Sequence, residues 1–152
     1  MNTCMMLAGL DGGPVFGPAF GEVRLRFLTP LRVRRDNHLV APRNPRELIY
    51  LMLRRHLELA HFHTRDARVD WSLRPLLEAA AALEAPEWTF RFVRLARYSN
   101  RQHGTLDLDG FVGTAVLAGD LAPLAAILRA AEVLHVGKGA VFGLGQIAVE
   151  GA

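Results

Sequence analysis

Two hydrophobic periods alternate along this chain in one particular order, and that order restricts its fold more than any single residue does. From Glu22, Val23, Leu25 and Phe27 fall on one side and Glu22, Arg24 and Arg26 on the other, the period of a half-buried strand. Thr29 and Pro30 break the alternation, and an arginine-rich polar loop leads to Asn44-Pro45-Arg46-Glu47. There Asn44 suits an N-cap, Pro45 the first helical position and Glu47 the carboxylate of a capping box. A helix to about His61 is expected, with Leu48, Ile49, Met52, Leu53, Leu59 and Ala60 on its apolar face. An alanine- and leucine-rich second helix follows Ser72 as cap. Trp88, Phe90 and Phe92 then alternate with Thr89 and Arg91 until the phase slips near Val93. Gly110–Gly119 reads as another strand, Asp120 caps a helix carrying Leu121, Leu124, Ala125 and Leu128, and Gly145–Gly151 closes as a short strand.

With the alanine-rich helix set aside as an insert, the order is strand, helix, strand, strand, helix, strand. Such an order predicts an α+β, ferredoxin-like fold: a four-stranded antiparallel sheet with two helices on one face. Residues 1–21, rich in glycine and proline, read as a lead-in, and 22–152 as one domain; 152 residues support one core more readily than two. The sole cysteine, Cys4, can form no internal disulfide or zinc knuckle, which suits a reducing cytoplasm. Neither a signal peptide nor a membrane span is expected, and no cofactor signature is present.

Charge is unevenly laid out. Arg24, Arg26, Arg32, Arg34 and Arg35 crowd one segment, and Arg91, Arg94, Arg97 and Arg101 punctuate an interval with no acid between Glu87 and Asp107. An anionic partner senses such a layout. Within the final quarter lies His135-Val-Gly-Lys-Gly-Ala-Val-Phe-Gly-Leu-Gly145, where Lys138, the only lysine, sits among Gly137, Gly139, Gly143 and Gly145. The spacing matches neither a P-loop nor a dinucleotide fingerprint, and the segment runs from helix to strand. Simple capping and turning would explain one glycine; four around a lysine suggest a cationic hollow where a polyanion approaches the main chain.

These residues, together with Arg97-Tyr98-Ser99-Asn100-Arg101-Gln102-His103, Gly110–Leu121 and Leu25–Arg35, resemble the carboxy-terminal half of the CRISPR-associated precursor-RNA processing endoribonucleases. Those enzymes belong to the repeat-associated mysterious protein (RAMP) superfamily. The resemblance runs from about Glu22 to Val149. It implies a ferredoxin-like fold, a glycine-rich loop that touches RNA, and cleavage of repeat RNA without metal by attack of a ribose 2′-hydroxyl on the adjacent phosphate. It further implies repeat-derived RNA as partner, and other CRISPR subunits or a second copy as possible ones. Members typically carry two tandem halves, with the acid–base histidine in the first, which has no counterpart here. A compact member, a truncated product, a chain that completes its cleft with another, and a non-catalytic RNA-binding or scaffold subunit all stay open.

The expected RNA-binding residues are Gly137, Lys138, Gly139, Gly143, Gly145, Arg97, Tyr98, Ser99, Arg101, Gln102, Arg32 and Arg34. Lysine offers a point charge, arginine a fork for phosphate, and tyrosine a face for a base. For acid–base work His135, His103 and Lys138 are the candidates, although a hydrogen-bonding role suits either histidine better. His56 is expected to pack in the core, and His61 and His63 are too close in sequence to share one helix face as a metal pair.

Overall fold

The computed structural model describes residues 20–63, 73–101 and 103–151. Strand β1 (Phe20–Leu31) leads into a small hairpin, β2 (Val33–Arg35) and β3 (His38–Val40), and then helix α1 (Pro45–His63). Helix α2 (Arg74–Ala81), β4 (Glu84–Val93), a second hairpin of β5 (Ala96–Ser99) and β6 (Gly104–Asp107), and β7 (Gly110–Asp120) follow. Helix α3 (Ala125–Leu134) and β8 (Ile147–Gly151) complete the chain. Strands β4, β7, β1 and β8 form one sheet in that order, antiparallel at every pairing. The fold is therefore α+β and ferredoxin-like, with the two hairpins and α2 added to its six core elements.

Alternation in β1 decides the layering. Val23, Leu25 and Phe27 join Ala115 and Leu117 of β7 and Ile147 of β8 in a buried cluster with Leu48, Ile49, Met52 and Leu53 of α1 and Ile127 and Leu128 of α3. Glu22, Arg24 and Arg26 point the other way and stay exposed, with Arg24 paired to Glu87 of β4 at 2.8 Å and Arg26 to Glu150 of β8 at 2.7 Å. One sheet face is thus covered by helices and the other laced by cross-strand ion pairs.

The start of α1 follows its sequence closely. Glu47 N–H donates to Asn44 Oδ1 at 2.9 Å, while the Glu47 carboxylate reaches back to Arg43 N–H rather than to Asn44. Four expectations need correction. The apolar stripe of α1 continues to Leu57, four residues beyond Leu53, whereas Leu59 and Ala60 lie round the helix and are half-buried. His56 is likewise half-buried rather than in the core, with Nδ1 shielded and unpartnered. The polar stretch after β1 is a hairpin whose turn residues Asp36 and Asn37 have φ of 49° and 64°, the geometry a two-residue turn demands. Asp120 is not the cap of α3: it accepts from Ala122 N–H at 3.1 Å ahead of a 3-10 turn at Ala122–Leu124 whose N-cap is Leu121, and α3 proper begins after that turn with Leu124 as its N-cap. Ser72 lies outside the described residues; α2 starts at Arg74 with Leu73 as a cap that makes no side-chain bond. No helix among the described residues is long and apolar enough to cross a membrane.

Candidate nucleic-acid interface

Helix α3 ends at His135, whose backbone turns to φ 61°, ψ 170° and launches the glycine segment. Gly137, Gly139, Gly143 and Gly145 all have φ between 70° and 85°, so each supplies a left-handed step that side-chain-bearing residues adopt at a cost. Gly145 adds a second requirement: a Cβ there would stand 1.8 Å from the Val136 carbonyl oxygen. The segment is folded back on its own structure. Val136 N–H donates to Gly145 O at 2.9 Å, Lys138 N–H to Arg32 O at 3.0 Å and Gly145 N–H to Pro30 O at 2.9 Å. A 3-10 turn at Ala140–Phe142 is closed by Phe142, Gly143 and Leu144 N–H groups donating to Gly139 and Ala140. Leu144 is buried beneath it.

The glycines accordingly act differently from a bare phosphate cradle. The Lys138 and Gly145 amides are spent on Arg32 and Pro30, at and just beyond the end of β1, and Gly143 and Gly145 are not among the residues that line the cleft. What the folding achieves is placement: it brings Lys138, exposed, against the β1–β2 junction and the flank of α1.

There a cleft of about 290 Å³ opens, lined by Arg32, Val33 and Arg34, by Leu51, Arg54, Arg55 and Glu58 of α1, and by residues 137–141. Five cations against one carboxylate make this the electropositive hollow of the described molecule. Arg54 Nε pairs with Glu58 at 2.7 Å, which raises the guanidinium's already high pKa. The pair is solvent-exposed and weakly held, so an entering anion can compete for the arginine. Arg55 Nε donates to Leu134 O at 3.2 Å, fixing α1 against the carbonyl end of α3. No aromatic side chain lines the cleft, which suits backbone phosphate better than an unstacked base.

Arg32 belongs to two places at once. Besides lining the cleft, its guanidinium donates to the main-chain oxygen of Asp107, the last residue of β6. It thereby ties the β5–β6 hairpin to the cleft. That hairpin carries Arg97, Tyr98 and Ser99 on β5 and Arg101 in its turn, with Tyr98 62% exposed. Asp107 is kept below the usual carboxylate range chiefly by the Asp109 N–H donating to it, with Arg32 and Arg34 adding to the effect.

Of the expected site residues, the structure thus gathers Arg32, Arg34, Gly137, Lys138 and Gly139 into one cleft and sets Arg97, Tyr98, Ser99 and Arg101 on the tethered hairpin. Gln102 lies outside the described residues. His103 is exposed in the hairpin turn at φ 49°. His135 is half-buried and lines no part of the cleft; its Nδ1 faces Leu144 O at 3.0 Å and must carry the proton to bond there. Arg54, Arg55 and Glu58 were missed as site residues, since on a helix they read as an ordinary solvated face. No cluster of three or more metal-ligating side chains is found among the described residues.

Comparison with known proteins bears on the same span. The family model for the CRISPR-associated endoribonuclease Cas6 matches residues 25–147. The chain belongs to the Cas6 family. Among solved structures it is similar to a Cas6 (TTHA0078) product complex, at 22% identity and a TM-score of 0.60, over 95% of this chain and 56% of that one. Thermus thermophilus Cas6 (TTHB231) matches at 21% identity and 0.59, over 87% and 54%. A Cas6-RT-Cas1–Cas2 complex matches at 14% identity and 0.61, over 88% of this chain and 14% of that one. At such identities these structures bear on the fold, which they share. This Cas6-family chain spans little more than half the length of those Cas6 chains. No curated protein matches its sequence significantly.

Proposed function

We propose that this chain binds CRISPR repeat RNA by holding its phosphates in the cleft between Lys138, Arg32, Arg34 and the Arg54–Arg55 flank of α1. The observation that carries the proposal is the convergence of five cations from three chain segments on one hollow with no aromatic lining. Arginine forks and a compact lysine are suited to phosphate and take no account of base identity. Tyr98 and the arginines of the β5–β6 hairpin supply a second contact, where an unpaired base can stack. Family membership supports repeat RNA as the ligand and precursor processing as the biological role, and the similar structures include a product complex and a substrate mimic complex of Cas6 proteins.

Processing would proceed by attack of a ribose 2′-hydroxyl on the adjacent phosphorus, leaving a cyclic phosphate and a 5′-hydroxyl. In this chain Lys138 is placed to stabilise charge developing on the phosphate. No histidine lines the cleft, and His135 has one nitrogen committed to Leu144. That observation favours a second reading in which the chain is an RNA-binding or scaffold subunit, acting with other CRISPR subunits or a second copy. Incubation with repeat RNA in chelator separates the two. Site-specific cleavage lost in Lys138→Ala supports processing; tight binding with intact RNA supports the scaffold role.

A further inference from the structure

Lys138 reaches the cleft only while an eleven-residue segment keeps its fold, and two polar side chains outside the cleft hold that segment, one from β1 and one from the segment's own first residue. The first is Thr29, near the end of β1. Its hydroxyl donates to Gly143 O at 2.7 Å and accepts from Gln146 N–H at 2.9 Å, so one side chain bridges both ends of the turn that leads into β8. The second is His135. Its Nδ1 bonds Leu144 O at 3.0 Å, from a backbone conformation that is almost reserved for glycine. A non-glycine residue persists in such a conformation only where its surroundings hold it there.

We infer that Thr29 and His135 are positioning residues: together they clamp the glycine segment so that Lys138 meets the phosphate of a bound RNA in a preformed place. The inference rests on the RNA-binding reading above. The physical benefit is entropic, because freezing backbone during binding costs free energy, and a clamped segment has met that cost on folding. Neither residue touches the cleft, and both act through main-chain oxygens of the segment: Thr29 through Gly143, His135 through Leu144. Main-chain bonds to Pro30 and Arg32 hold the same segment, so losing one clamp loosens it without unfolding the sheet.

The test combines amide hydrogen exchange with RNA binding in Thr29→Val, Thr29→Ser, His135→Gly and Lys138→Ala. Thr29→Val keeps the shape and removes the hydroxyl, Thr29→Ser keeps the hydroxyl, and His135→Gly relieves the strain while removing the ring. In Thr29→Val and His135→Gly, the Lys138 and Gly145 amides should exchange roughly fivefold to tenfold faster, as losing one hydrogen bond implies, with β7 amides unchanged. Repeat RNA should bind more weakly by a similar factor, Thr29→Ser should restore both, and Thr29→Val should add nothing in the Lys138→Ala background. Unchanged exchange in both variants overturns the clamp. Faster exchange with unaltered RNA affinity overturns the positioning role, as does a loss that simply adds to that of Lys138→Ala. If Lys138→Ala alone binds like the wild type, the RNA reading of the cleft fails and the positioning role with it, while the exchange rates still report whether the two side chains hold the segment.

Discussion

Two glycines eight positions or fewer from Lys138 illustrate how differently neighbouring residues of one type are constrained. Gly145→Ala would drive a methyl group into the carbonyl of Val136, the residue whose N–H donates to Gly145 O, and position 145 carries φ 70° as well. A loss of roughly 2–4 kcal/mol in urea unfolding is expected. Gly143→Ala has φ 79° and no atom within 4 Å of the new methyl, so only the left-handed penalty of about 1 kcal/mol applies. Equal costs for the two would contradict the packing described. From the sequence, the four glycines read as an opening for phosphate. Their conformations were legible; the closeness of β1 to the loop was not, because it depends on Pro30 and Arg32 more than a hundred residues away. His56 supplies a separate test. Burial pushes its pKa below the ordinary histidine value of about 6.5. The native state therefore resists a proton that the unfolded chain accepts, and stability contributed by neutral His56 is present above that value and lost as pH falls. His56→Leu should narrow the loss of stability between pH 7 and pH 5, measured by urea unfolding at both; an identical pH dependence would contradict the burial.

At the scale of elements, α1 serves two purposes on two sides. Ile49 and Leu53 fasten it to the sheet's core and Leu57 is buried on the same stripe, while Arg54 and Arg55 form one wall of the cleft and Glu58 restrains Arg54. Removing that carboxylate in Glu58→Gln should tighten RNA binding roughly twofold to fivefold at low salt, since the only acid in the cleft is gone and Arg54 is released. Weaker binding would show that the pair, rather than the free arginine, presents the right geometry; filter binding or fluorescence anisotropy decides. Much of this element was readable: Asn44, Pro45 and Glu47 announced its start, and the apolar stripe announced its buried side. Leu57 was passed over for Leu59, although the i, i+4 relation to Leu53 was available. The cleft-facing role of Arg54 and Arg55 was not readable, because it depends on where the glycine segment and β1–β2 come to rest. The β2–β3 hairpin did leave a signal, Asp36-Asn37 between two short β-prone runs, which the surrounding arginines masked.

For the whole molecule, the order of periodicities specified the sheet, its helical layer and the antiparallel arrangement, because few topologies satisfy that order with short connections. The proposed binding surface is a property of the assembled fold. It draws on the β1–β2 junction and β2, α1, the segment after α3 and, through the Arg32 link to Asp107, the β5–β6 hairpin, so no single stretch of sequence contains it. The most direct test is an equilibrium titration of repeat RNA against the wild type and Lys138→Ala across a range of salt. If three to five cations of the cleft each neutralise a phosphate, log affinity should fall against log salt with a slope of roughly −2 to −4, and Lys138→Ala should weaken binding and make the slope shallower by about one. Affinity indifferent to salt, or a Lys138→Ala protein indistinguishable from the wild type at every ionic strength, would contradict the account.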